Sequence, residues 1–125
     1  MSTDRQRVRA LRGAITVDAD EPTEIVAATV ELLRAMLDKN GASAEDLISV
    51  VFTATTDLVS EFPAAAARTI GISDVPLLCA QEIPVPDAVP RCIRVLMHLY
   101  TERDYASLRH VYLREARGLR TDLPE

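Results

Sequence analysis

An arginine lies inside a run of strand formers, Arg91-Cys92-Ile93-Arg94-Val95-Leu96-Met97-His98-Leu99-Tyr100. A charged side chain is rarely fully buried unless it is paired, and an unpaired buried charge is expensive. Arg94 must therefore reach an edge, meet a structural carboxylate, or receive an anionic ligand. Successive strand side chains face opposite sides. Ile93, Val95, Met97 and Leu99 thus form one wholly apolar face, which reads as core. Cys92, Arg94, Leu96, His98 and Tyr100 form the other, which reads as a pocket wall or a subunit interface. Arg12 has a comparable setting, with Ala10 and Ala14 beside it on its own face and room next to its guanidinium. Arginine suits planar, two-pronged recognition of carboxylates.

Other chemistries leave no mark. The four glycines are isolated, so no Gly-rich phosphate loop exists. No His/Cys/Asp group has metal-ligand spacing. No Ser or Cys stands in a nucleophile-elbow context, and His98 and His110 lie far apart without a partner signature. The net charge of −5 argues against nucleic acid, and five aromatics without Trp give no stacking platform. Thirteen of the fourteen Lys and Arg residues are arginine, Lys39 being the exception, a skew that GC-rich coding explains in large part. An enzyme with this sequence works by positioning and electrostatics, and no cofactor is expected.

The elements that must position these arginines can be read along the chain. At 125 residues and 48% apolar, it is expected to form a single domain over 1–125, with residues 1–6 and about 121–125 frayed. Arg7 to Val17 reads as a strand, interrupted at Gly13 by a bulge or a close backbone approach. Asp18 to Pro22 starts a helix that runs to about Asn40, with Gly41 as its stop. Its apolar stripe is Ile25, Val26, Thr29, Val30, Leu33, Met36 and Leu37. Ser43 to Asp46 is a capped turn, and Leu47 to Ala54 a second strand. Phe62-Pro63 opens a short helix through Ile70, and Val75 to Ile83 is a third strand. Pro84, Pro86 and Pro90 mark a stiff loop. The Arg94 strand is fourth, Glu102 to Ser107 a polar turn or short helix, Arg109 to Leu113 a brief fifth strand, and a tail carries Arg114, Arg117 and Arg120.

This order predicts an α+β domain: a mixed five-stranded sheet with one long helix on one face. The other face is too apolar to stay in water, so a homo-oligomer packed through its sheets is expected. Cys79 and Cys92 read as reduced, buried thiols. No stretch is long enough to cross a bilayer and no signal pattern opens the chain, so cytoplasmic residence is the default.

Several segments, in order, resemble the AroH class of chorismate mutases. They are Arg12-Gly13-Ala14 with Thr16-Val17; Thr53-Ala54-Thr55 with Asp57-Leu58, Phe62-Pro63-Ala64 and Arg68; Cys79 with Gln81-Glu82; Cys92-Ile93-Arg94-Val95; and Arg109-His110-Val111-Tyr112-Leu113 followed by Leu119-Arg120. The resemblance implies a homotrimeric pseudo-α/β-barrel with helices outside and three sites at subunit clefts. It implies the Claisen rearrangement of chorismate to prephenate, feeding phenylalanine and tyrosine synthesis. That reaction needs no cofactor, general acid or covalent intermediate.

The resemblance also distributes roles. Chorismate carries two carboxylates, so local arginines must overcome an acidic protein's field. The substrate must be held in a folded, chair-like conformer. Its breaking C–O bond leaves negative charge on the ether oxygen, where a rigid donor favours the transition state over the ground state. By resemblance Arg94 is that donor. Arg12 is a carboxylate clamp with Tyr112 as hydroxyl donor beside it. Glu82 accepts the ring hydroxyl with Cys79 alongside. Phe62 and Leu119 are apolar walls, Ala64, Leu77 and Leu78 complete the binding surface, and Arg68 and Arg120 stand at the mouth. Cys79 and Glu82 are three apart, so a flat strand puts them on opposite faces; either the strand twists near Gln81 or they serve different walls of a cleft. Ala65 stands where better-known members carry a lysine. Two alternatives remain: a RidA-like enamine/imine deaminase, and a non-catalytic trimer that binds an anionic metabolite.

Overall fold

In the computed structural model, residues 6–119 are described. The expected fraying of both termini, apart from Gln6, and the mouth position of Arg120 lie outside them.

Five strands form one mixed sheet in the order β3-β2-β4-β1-β5. They are β1 (Arg7–Thr16), β2 (Leu47–Ala54), β3 (Leu77–Gln81), β4 (Cys92–Thr101) and β5 (Val111–Tyr112). The Arg94 strand β4 is central and runs antiparallel to both β1 and β2. The edges are parallel additions, β3 to β2 and β5 to β1. Among the described residues, two helices, α1 (Pro22–Lys39) and α2 (Ala64–Thr69), complete the regular elements with three short 3-10 turns. No helix of the described residues is long and apolar enough to cross a membrane.

Alternation in β4 is as expected. Ile93, Val95, Met97 and Leu99 are buried in the core between sheet and α1. Gly13 serves close approach rather than a bulge: its pairing with Val95 is regular, and a Cβ there would come within 2.5 Å of Met36 Sδ and 3.1 Å of Leu32 Cδ1. The close approach explains a shift in the helix stripe. Ala28 and Leu32 are buried, whereas Val26 and Val30 are only half-buried, because α1 presses its Leu32–Met36 side onto the glycine.

The start of α1 also differs from expectation. Glu21 is the N-cap and makes no side-chain cap bond, with Pro22 opening the helix. Asp20 instead accepts the backbone N–H groups of Val59 and Ser60 at 3.0 and 3.1 Å, tying down the β2–α2 loop. These bonds and the Ser60 hydroxyl hold the Asp20 carboxyl below its ordinary 3.8. At the other end Asn40 is buried, and its side chain bonds the Met36 and Arg109 carbonyls and the Arg109 N–H.

β3 is shorter than expected. Pro76 has no N–H to give a ladder, and the backbone leaves the sheet just before Pro84, after Glu82 N–H has reached Ala54 O. The irregularity in pairing lies in β2 at Leu47/Ser49. The expected tail is a 3-10 helix, Arg114–Leu119. Arg114, at φ 56, anchors it to the Thr16 carbonyl and to Glu31, 3.0 Å away, while Glu115 N–H bonds the Thr16 hydroxyl. The helix lays Ala116 and Leu119 over Ala14 and Cys92, so one end of the second sheet face is covered after all. Cys92 is consequently buried, and burial pushes its thiol up to about 11.

Candidate active site

Register assembles the site. Across all five strands, Ala80, Thr53, Arg94, Ala14 and Tyr112 stand in one row on the face away from α1. The next row along that face is Leu78, Val51, Leu96 and Arg12. Arg94 has Ala14 on one side and Thr53 on the other, so its long side chain lies between two small ones. Arg12, Val51, Thr53, Arg94, Leu96 and Tyr112 line a cleft of about 320 Å³ on this face.

Glu82 approaches from the edge. Its Oε2 lies 3.0 Å from Arg94 Nε and accepts the Thr53 hydroxyl at 2.7 Å. The Arg94 N–H is not aligned on that oxygen, so the contact is an ion pair and not a hydrogen bond, and the Nε atom is buried. The rest of Arg94 is open: its side chain is 43% exposed against 17% for Glu82. The pair is therefore a side-on contact made through Nε, on a guanidinium whose side chain is still partly open. Both readings of Arg94 hold together, a structural carboxylate at Nε and room for an anion beyond.

Arg12 is exposed beside it. Its backbone N–H, at the end of the β1–β5 ladder, donates to His110 Nδ1 at 2.9 Å, which fixes the strand that carries it. Tyr112 is half-buried and packs against the Ala14–Cys92–Ala116 cluster together with Leu119. Two guanidinium groups and a phenol thus border a space with apolar walls from Leu96 and Val51, and one carboxylate stands against Arg94 beside it. Such a space can bind an anion carrying a hydroxyl group and hold a donor rigidly against one of its oxygens.

A second cleft, also about 320 Å³, lies where the β2–α2 loop meets the β3 edge, lined by Phe62, Pro63, Cys79 and Gln81 among others. Phe62 is 67% exposed there. Cys79 pairs with Phe52 and packs toward the core side, whereas Glu82 faces the Arg94 side. Cys79 lines the cleft at the β3 edge while Glu82 contacts Arg94, so within this chain the two serve different walls. Leu77 packs against the core and Ala64 is buried within it, and neither lines either of these two clefts. Leu78 is exposed on the Arg94 face. Arg68 is exposed on α2 and lines neither cleft.

Thr53 is the residue that sequence reasoning passed over. It entered only as part of Thr53-Ala54-Thr55, although its even spacing from Val51 and its β-branched, hydroxylated side chain were visible. What made it matter, the pairing with Arg94 and the bond to Glu82, is long-range.

The chain matches the family model described as chorismate mutase type I over residues 8–123. It is 56% identical over 117 residues to the chorismate mutase AroH of Thermus thermophilus, covering 93% of this chain and 96% of that one. It is 39% identical over 117 residues to the AroH chorismate mutase of Bacillus subtilis (strain 168), covering 93% and 92%. A solved chorismate mutase from Clostridium thermocellum superposes with a TM-score of 0.87 at 46% identity, over 88% of this chain and 98% of the other.

Proposed function

The chain belongs to the type I chorismate mutases, and from that premise we propose that the rearrangement takes place in the Arg94 cleft, completed by a neighbouring subunit. Its activity is that of an intramolecular isomerase, converting chorismate to prephenate in phenylalanine and tyrosine biosynthesis. Family membership also decides against the deaminase and the non-catalytic binder.

The observation that carries the reading is the Arg94–Glu82 contact made through Nε. Glu82 holds Nε and so aims the guanidinium, while the outer nitrogens remain for the substrate. One of them meets the ether oxygen as the C–O bond breaks and charge grows there. A donor already in place binds the transition state without reorganising. Arg12 and the Tyr112 hydroxyl take a carboxylate and keep the substrate in its folded conformer. Glu82 accepts the ring hydroxyl through its other oxygen. No proton transfer to carbon and no covalent intermediate enters.

The remaining exposed apolar surface supports the oligomer. Val8, Leu78, Leu96 and Tyr100 are exposed on the sheet face that α1 does not cover. The Phe62–Cys79 cleft lies round the β3 edge from the Arg94 cleft of the same chain. In a homotrimer packed through its sheets, one subunit's Phe62 edge supplies the wall that its neighbour's arginine cleft lacks. Arg68 and Arg120 then stand at the mouth and retain the dianion. Cytoplasmic residence, argued from two free cysteines, belongs to the same proposal. The test follows loss of the chorismate diene absorbance and measures solution mass by light scattering. Turnover by a trimer is expected. Turnover by a monomer of equal specific activity would refute the shared site.

A further inference from the structure

Glu82 lies one residue beyond the end of β3, its backbone still held by the N–H bond to Ala54 O. Its side chain, next to an arginine, has an alternative to the observed geometry. It can turn both oxygens onto the guanidinium in a two-pronged clamp. That clamp would occupy Glu82 Oε1 and further Arg94 N–H groups, the groups the substrate needs. The structure shows instead a single-oxygen contact at Nε whose N–H is not aligned on the oxygen. The one aligned side-chain hydrogen bond on the carboxylate, among the described residues, comes from Thr53 Oγ1 to Oε2 at 2.7 Å. Thr53 is held at that place by its pairing with Arg94 on one side and Ala80 on the other, and it lines the cleft.

We propose that Thr53 is a positioning residue: its hydroxyl pins Oε2 and so prevents Glu82 and Arg94 from closing into a two-pronged ion pair that would exclude the substrate. The inference rests on the roles given above to Glu82 and Arg94, and it adds a specific one. Thr53 does not touch the reacting atoms. It keeps Arg94's outer nitrogens and Glu82 Oε1 available at the moment the substrate arrives, so that no ion pair has to open first.

Thr53→Val removes the hydroxyl at nearly constant shape in a strand-favouring residue. Steady-state kinetics on the intact protein should show kcat/KM lowered about ten- to a hundredfold, the range for a hydrogen bond to a charged group. Thr53→Ser, which keeps the donor, should recover to within about threefold of the parent. In the Glu82→Gln background Thr53→Val should cost less than about threefold, because the carboxylate to be pinned is already gone. Thermal unfolding of Thr53→Val should stay close to the parent. Thr53→Val at parental kcat/KM, with Glu82→Gln strongly impaired, would overturn this inference and leave the reading of Glu82 intact. Multiplying effects in the double variant, or failure of serine to rescue, would also overturn it. Full activity in Glu82→Gln would overturn both together.

Discussion

Arg94→Lys separates charge from geometry. In the structure Nε meets Glu82 Oε2 at 3.0 Å while the side chain, 43% exposed, lines the cleft, so one side chain is placed for two tasks. A lysine has a single ammonium at the end of a flexible stem. With Glu82 in reach it settles on that carboxylate, and the ether oxygen loses its donor. The change therefore keeps the ion pair and deletes the catalytic hydrogen bond. Removing one preorganised donor of this kind costs about 3–4 kcal/mol in the transition state, about a hundred- to a thousandfold in kcat. The partly exposed ion pair itself contributes within about 1 kcal/mol, so stability should move by no more than that. The assay is the loss of chorismate diene absorbance, with kcat and KM extracted separately, beside a thermal melt. A kcat within tenfold of the parent, in a protein melting at the parental temperature, would refute the assignment of Arg94 as the ether-oxygen donor.

Ala65→Lys supplies the cation that better-known relatives carry near the cleft, and KM should fall with kcat nearly constant; an unchanged KM would remove the idea. Asp20→Ala deletes the acceptor of the Val59 and Ser60 amides. Their hydrogen exchange should accelerate and KM should rise as the loop bearing Phe62 loosens. In the parent this anchor is present above the ordinary value of 3.8 and is lost only as pH falls through the lowered folded-state value, so the same amides should become labile at strongly acid pH. The Cys92 thiol, raised from 9.0 to about 11, gives an alkaline counterpart. Its stabilising effect is complete below pH 9, where the unfolded thiol is also neutral. It is lost between about pH 9 and 11, amounting to about 2 kcal/mol. Denaturant unfolding over that range should fall less steeply in Cys92→Ala than in the parent.

Family membership and the local elements were legible because their signals are local. The 2-residue alternation of β4 names its core face, Pro22 and Gly41 bracket α1, and the ordered motifs from Arg12 to Leu119 carry the family. Gly13 announced something special, and its reason, the approach of Met36 and Leu32, is a contact between a strand and a helix about twenty residues later. The tail was misread because a 3-10 helix of six residues has too short a period to announce itself. What holds it, Arg114 on Thr16 and Glu31, spans most of the chain.

By itself the sequence determined that Arg94 and Arg12 would stand on the polar side of two strands, and which anion would interest them. Only the tertiary structure decided that β4 is central, that Arg94 lies in one row with Thr53, Ala14 and Tyr112, and that Cys79 and Glu82 look to different walls. The reason is register. A strand's own pattern fixes which residues share its face, but which residue of another strand comes opposite is set by pairing across the sheet. Arg94 sits between Ala14 and Thr53 because of two such pairings, and the Nε contact with Glu82 exists only where they meet.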